Sequence, residues 1–397
     1  MASPKCIGTI LVIFVIINLI FYKFRLDKKL LLLDKPDLSD AISGNGPKSM
    51  LFSEALRTSL TGNLTSLSPT QKSNLTNASD GSAIKTVLKF KGLDKTSYNA
   101  GDVPRLLDAL KAIQEQVEKE EASKAKPKKL PDCSPKNLGP VKPVNTDITK
   151  IPEDLAKIYP DVYGGLWRPK DCHPIHKTAI IIPYRNRTTN LKIFLNHMHR
   201  FLQAQLLDYG VFVIDQADTK RFNRAKLLNV GYVEAQKFHS YDCFILHDVD
   251  KVPEDTRNIY TCANKPKHLI SQRHTQKEEK YKPGMLYHWY FGGAASVSFN
   301  NYRQINGMSN VYWGWGREDD DFAARVRVRG LGGIFPRGDE GRYLIIDHHD
   351  DRIVNSMKWP YVNVVKQTMI TDGLNSLNYT IKKVAVEPLY TMISVIL

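Results

Sequence analysis

Cysteine is scarce in this chain, with five in 397 residues. No two of them form a CxxC pair or stand with histidine at zinc-ligand spacing, which excludes a cysteine-stapled miniprotein and argues against a redox or zinc centre. There is no zinc-finger spacing and no K/R-G-F-G-F ribonucleoprotein signature, so no nucleic acid is expected as a partner. No internal repeat is present. Acidic residues are outnumbered, 41 against 56 Lys and Arg, for a formal charge of +15. That balance suits an anionic membrane surface or a phosphorylated ligand. What the chain does have is 42% hydrophobic residues and 24% charged ones, which rules out global disorder and collagen and leaves room for a stem with one large domain or two ordinary ones.

Residues 6–22, CIGTILVIFVIINLIFY, carry no charge. At about 1.5 Å per residue a helix of this length spans roughly 25 Å, enough to cross a bilayer. Asn18, Leu19, Ile20 and Phe21 offer no small-x-small cleavage site, so the segment is expected to remain as a signal-anchor. Charge counting places the C-terminus in the cytosol, because Lys23, Arg25, Lys28 and Lys29 follow the helix. The downstream cysteines and the acceptor sequons at Asn63, Asn74, Asn77 and Asn378 argue for an oxidising lumen instead.

The expected organisation is a cytoplasmic tail at 1–5, the anchor at 6–22, a largely disordered luminal stem at 23–130 and a globular domain at 131–397. Within the stem, Leu106, Leu107, Leu110, Ile113 and Val117 follow helical spacing, which predicts a short amphipathic helix and would also allow two chains to pair as a homodimer. Cys133, Cys172, Cys243 and Cys262 predict two disulfides, and four cysteines allow three pairings.

In the globular part, Thr178–Ile182, Val211–Ile214 and Cys243–Leu246 read as strands, alternating with helices over Asn190–Leu206 and Arg221–Phe238. That alternation predicts an α/β fold with a mostly parallel sheet and helices on both faces, with ligands beyond the carboxyl ends of the strands. The charged clusters fall at those ends. Asp248 and Asp250, spaced by two, would share one side of an extended chain and offer hard oxygen donors to Mg²⁺ or Mn²⁺ on a diphosphate. Arg185 and Arg187 in Pro183-Tyr184-Arg185-Asn186-Arg187, with Arg224 in Phe222-Asn223-Arg224, supply donors for phosphate and nucleotide oxygens. Trp313-Gly314-Trp315-Gly316 runs into Arg317 and the carboxylates Glu318, Asp319, Asp320 and Asp321. Glycine hinges beside aromatics suit a sugar-stacking lid, and a carboxylate there can act as a general base. His348 and His349 in Asp347-His348-His349-Asp350 are further candidates to complete a metal shell.

Taken in order, FNRAKLLNVGY, DVD, YFGGAAS, NGMSNVYWGWGREDDD and DGLNSLNY resemble the beta-1,4-galactosyltransferase family, from about Cys133 to the C-terminus. The resemblance implies a type II Golgi membrane protein with a GT-A fold. It implies transfer of galactose from UDP-galactose to the 4-hydroxyl of terminal N-acetylglucosamine, with inversion and Mn²⁺, and disulfides Cys133–Cys172 and Cys243–Cys262. It places donor contacts on Pro183 to Arg187, Phe222 to Arg224, Asp248, Val249, Asp250, Tyr290, Trp315, His348, His349 and Asp350. Metal ligands fall on Asp250 and His348, and acceptor contacts on Arg317 to Asp320, Lys358 and Trp359. Asp319 matches the catalytic base, with Glu318 beside it, and Tyr290 matches a residue favouring galactose over N-acetylgalactosamine.

The chain departs from the family pattern at Ile345, where a methionine metal ligand is usual, so metal affinity or a shift toward Mg²⁺ is in question. Lys358 replaces an arginine and Trp359 a phenylalanine, which bears on acceptor preference. The competing readings are an N-acetylgalactosamine donor, a xylose or glucosylceramide acceptor, or a non-catalytic glycan-binding homologue. Asp250, Asp319 and His348 argue against the last.

Overall fold

The computed structural model describes residues 97–109, 130–141, 144–278, 280–284, 289–347, 353 and 362–397. The expected tail and anchor, the sequons at Asn63, Asn74 and Asn77, and His348, His349, Asp350, Lys358 and Trp359 lie outside them. Among the described residues no helix is long and apolar enough to cross a membrane.

In chain order the strands are β1 (Ser97–Asn99), β2 (Leu166–Trp167), β3 (Lys177–Tyr184), β4 (Asp208–Gln216), β5 (Cys243–His247), β6 (Lys251–Pro253), β7 (Lys267–His268), β8 (Gln272–Thr275), β9 (Lys282–Pro283), β10 (Ala294–Ser298), β11 (Arg342–Ile345), β12 (Thr380–Glu387) and β13 (Tyr390–Ile396). The helices are α1 (Thr188–Ala204), α2 (Arg224–Ala235), α3 (Phe299–Gln304), α4 (Glu318–Val328) and α5 (Val365–Thr368).

The continuous apolar run of β3 arises because both faces of its sheet are covered. Ala179 and Ile181 join the core that holds Leu227 and Leu228 of α2, whereas Ile180 and Ile182 join the core that holds Phe194, Met198 and Leu202 of α1. Helix α2 lies so close to the sheet that a Cβ at Gly231 would stand 2.2 Å from Ile181 Cγ2. Only glycine permits that approach.

The large sheet runs β1-β12-β13-β4-β3-β5-β10-β7, and a second sheet runs β6-β11-β8-β9. The three strands read from sequence pair in parallel as expected, β4 with β3 and β3 with β5, and β13 adds in parallel to β4. The expectation of a mostly parallel sheet does not hold, because β10 on β5, β7 on β10, β12 on β13, β1 on β12 and β2 on β4 are all antiparallel. Beyond β5 the large sheet grows mainly by strands that return through loops or hairpins and so run antiparallel, while in the second sheet β8 and β11 pair in parallel. The fold is mixed α/β.

Both disulfides pair as the resemblance implies, Cys133 with Cys172 and Cys243 with Cys262. Asn378 is exposed, and its Oδ1 accepts a hydrogen bond from Lys226 Nζ at 2.9 Å.

The stem boundary differs from the one read in sequence. Ser97–Asn99 adds an edge strand to β12, with Tyr98 facing Val384, and residues 103–109 are helical. Tyr98, Val103, Leu106 and Ala109 are buried in the same core as Leu227 and Ile393. Leu107 packs on the same core, so the helix expected from Leu106 and Leu107 is present over 103–109, and what the polar surroundings concealed is that it docks on the globular part. Leu106→Ala in the full chain is expected to cost about 2–5 kcal/mol by chemical denaturation. A stem linker at this position would give no change.

Candidate active site

Three chain elements bring charge to one edge of the large sheet. Strand β3 ends at Pro183 and Tyr184, after which Asn186 adopts a left-handed φ of 53° and Arg187 occupies the position before α1. Arg185 Nη1 donates to the Lys220 carbonyl at 2.7 Å, and the guanidinium lies 5.3 Å from the centre of the Phe222 ring. Asn223 is buried and caps α2, its Oδ1 accepting from Lys226 N at 2.9 Å while its Nδ2 donates to the Asn310 carbonyl at 2.8 Å. A cap of this kind satisfies an amide that the helix leaves open.

Arg224, the first residue of α2, is the hub. Its Nε donates to Asp248 Oδ1 at 2.6 Å, and its Nη1 is 3.7 Å from Glu318 Oε1 on α4. Burial opposes its charge, but Asp248, Glu318 and Asp319 outweigh burial and push its pKa up. The sequence reading of Asp248 and Asp250 as carboxylates on one side of an extended chain is corrected here. Strand β5 stops at His247, and Asp248-Val249-Asp250 is a turn in which Lys251 N donates to the Asp248 carbonyl at 3.3 Å. The two carboxylates therefore meet different cations, Asp248 with Arg224 and Asp250 with Lys251 Nζ at 2.5 Å. Val249 is buried beneath the corner. Ile345 pairs with Lys251 across β11 and β6, and Ile346 N donates to the Asp250 carbonyl at 2.9 Å, so position 345 does lie beside the corner.

The acidic run divides by helical position. Glu318 faces Arg224, Asp320 pairs with Arg317 at 2.7 Å, and Asp321 points inward to Arg325 at 2.5 Å. Asp319 lies against the turn that carries Tyr290. A Cβ at Gly292 would stand 2.2 Å from Tyr290 Oη and 2.6 Å from Asp319 Oδ2, so phenol and carboxylate flank one glycine. Burial, then Glu318 and Asp320, raise the Asp319 pKa to about 8. The helix N-terminus favours the carboxylate by only about 0.3–1 kcal/mol and does not reverse this. Burial also pushes Tyr290 up, with Asp319 and Asp248 adding to it.

Trp315 is 49% exposed between Gly314 and Gly316, whose φ values are 93° and 115°. Gly314 N donates to the Phe222 carbonyl at 2.8 Å and Trp315 N to the Ile353 carbonyl at 2.7 Å, tying this loop to the residues before α2 and to Ile353. Its base is held by a polar network missed in sequence. Asp372 accepts from Ser309 Oγ at 2.5 Å and Asn310 N at 2.9 Å, its carbonyl accepts from Arg325 Nη1 at 2.8 Å, and Tyr312 Oη donates to Asp321 at 3.1 Å. The signal was Asp372-Gly373 in DGLNSLNY, which read only as a family signature. Among the described residues no three His, Cys, Asp or Glu side chains are assembled to hold a metal ion.

The model of the N-terminal region of glycosyl transferase group 7 matches residues 130–263, and that of the N-terminal domain of galactosyltransferase matches residues 272–349. Beta-1,4-galactosyltransferase 4 of Cricetulus griseus is 42% identical over 267 residues, 67% of this chain and 76% of that protein. Beta-1,4-galactosyltransferase 1 of Homo sapiens is 42% identical over 272 residues, 67% of each chain. Among solved structures, the catalytic domain of Drosophila beta-1,4-galactosyltransferase 7 in complex with xylobiose is 32% identical, with a TM-score of 0.48 over 56% of this chain and 94% of that one.

Because Glu318 pushes the Asp319 pKa up and Arg224 pulls it down, the two substitutions move it in opposite directions. Carboxyl ¹³C NMR is expected to show Asp319 titrating near 8, earlier in Glu318→Gln and later in Arg224→Met.

Proposed function

Because this chain belongs to the beta-1,4-galactosyltransferase family, we propose that it is an inverting glycosyltransferase of GT-A type. It moves galactose from UDP-galactose to the 4-hydroxyl of a terminal N-acetylglucosamine on a glycoprotein or glycolipid. The observation that carries this reading is the Asp319 carboxylate, half-buried on the first turn of α4 beside Tyr290 and next to Glu318, which faces Asp248 across Arg224.

Asp319 accepts the proton of the acceptor hydroxyl as that oxygen attacks the anomeric carbon, and a single displacement inverts it. Arg185, stacked on Phe222, keeps guanidinium donors toward the nucleotide side at the end of β3. Arg224 holds Asp248 and Glu318 in place, so the donor sugar meets fixed dipoles that need no reorganisation. Trp315, hinged between two left-handed glycines, covers the donor and excludes water.

A divalent cation fits the donor chemistry of this corner: Asp250 presents a hard oxygen in the turn between β5 and β6 and already engages a cation, Lys251. Asp250 and His348 would hold the ion, which when bound neutralises charge on the departing UDP. Ile345, beside that corner, has no donor atom, so Mn²⁺ is held less tightly and Mg²⁺ competes better. We also propose a Golgi membrane location with the globular part in the lumen, a reading that the uncharged run at 6–22 and the two cystines support.

Full-length protein in detergent, given UDP-galactose and an N-acetylglucosamine acceptor, is expected to form the β-1,4 product with Mn²⁺ and none with chelator. Asp319→Asn is expected to lose at least about 100-fold in kcat. Transfer from UDP-N-acetylgalactosamine, or onto xylose or glucosylceramide alone, would replace the donor or acceptor assignment. Since Asp319 must be ionised to accept a proton and is protonated below about 8 in the free protein, kcat/KM is expected to rise with pH through that value. Ile345→Met is expected to tighten Mn²⁺ about tenfold in activation titrations.

A further inference from the structure

The doublet Gly292-Gly293 separates the two halves of the site. The Gly293 carbonyl accepts from Asp248 N at 2.8 Å, and the Gly292 carbonyl accepts from His268 Nε2 at 2.9 Å and from Ala294 N at 3.2 Å. Gly292 is also the residue against which Tyr290 and Asp319 both lie. A shift of that peptide changes the distance between the phenol, two residues away in the same turn, and the carboxylate, which reaches Gly292 from α4.

His268 lies outside the catalytic cluster, on the two-residue edge strand β7, and is fully buried. Its backbone is fixed by pairing with Ala295 and by donating to the Ile334 carbonyl at 2.9 Å. Its ring meets Tyr290 edge to face, with centroids 5.5 Å apart, and Phe291 at 6.3 Å. A carbonyl can only accept, so the proton is on Nε2 and Nδ1 carries the lone pair. That Nδ1 is buried with no hydrogen-bond partner among the described residues. Burial lowers the ring's pKa to about 4, so it stays neutral through the working range. A histidine with an orphaned ring nitrogen is a poor core residue, and an apolar side chain of the same size would satisfy this site better. Stability therefore does not account for the imidazole. Its Nε2–H on Gly292 and its edge on Tyr290 do.

The geometry points to His268 as a positioning residue that sets the spacing of Tyr290 and Asp319 by pinning the Gly292 carbonyl. This rests on the galactosyl-transfer reading for its kinetic readout. Misplacing a reacting group by about 1 Å costs on the order of 100-fold. His268→Phe keeps the ring and loses the donor, whereas His268→Gln places an amide N–H where Nε2 stands.

In the full-length protein, kcat for galactose transfer is expected to fall about 30- to 100-fold in His268→Phe, with KM for donor and acceptor within about threefold of the parent. His268→Gln is expected to recover kcat to within about threefold, at a thermal midpoint no higher than that of the Phe variant. Should His268→Phe fail to fold, His268→Asn, whose amide is too short for the Gly292 carbonyl, takes its place. Equal kcat loss in the Phe and Gln variants would overturn the proposal, as would a loss carried by KM or one matching the unfolded fraction. An inactive parent would defeat the functional reading alone. The positioning role would then be judged by the Asp319 carboxyl titration, expected to move in His268→Phe and stay in His268→Gln, and overturned if it moves in both or neither.

Discussion

One largely buried guanidinium holds this site together. Arg224 opens α2 at the carboxyl edge of the sheet and meets Asp248 from the end of β5 and Glu318 from the start of α4. Three segments distant in sequence are thus bound through a single charge in a poorly solvated place. Without that charge, burying two carboxylates in one cleft would be prohibitive, because the loss of hydration exceeds what backbone donors return. Asp319 shows the same constraint from the other side. It is close enough to the acidic cluster to be pushed toward protonation and far enough from Arg224 to be only partly relieved.

The support beneath is polar rather than apolar. Asn229 on α2 accepts from Tyr302 Oη at 2.8 Å and Met308 N at 2.9 Å and donates to the Met308 carbonyl and to Asn310. Asn310 in turn donates to the Gly373 carbonyl at 2.7 Å, and Asp372 shares Arg325 with Asp321. A buried network in which most members find partners admits few alternative arrangements, so the loop carrying Trp313 to Gly316 leaves a rigid base. The left-handed Gly314 and Gly316 lie above it.

Beneath the Asp248 corner a second chain runs from His247 Nε2 to Tyr260 Oη at 2.9 Å and on to Tyr343 Oη at 2.6 Å. It joins β5 to β11, the strand that brings position 345 to the corner. The large sheet thus carries Arg185, Asp248 and the elements that hold Arg224 and Asp319, and the small sheet carries Ile345.

Much of this was legible in the residues. Strands β3, β4 and β5 and helices α1 and α2 followed from apolar runs and breakers, because a strand buried on both faces and an amphipathic helix leave local patterns. Arg185, Arg224, Asp248, Glu318 and Asp319 were recognisable because charges at strand ends and helix starts are local features too. What the sequence by itself determined was therefore the elements, the residues able to do chemistry and the family they belong to. Only the tertiary structure decided that the sheet is mixed, that Asp248 and Asp250 part to different cations, that residues 97–109 belong to the core, and that His268 holds Gly292. Each of these is a contact between residues far apart along the chain, and neither periodicity nor composition records which distant partner burial will select.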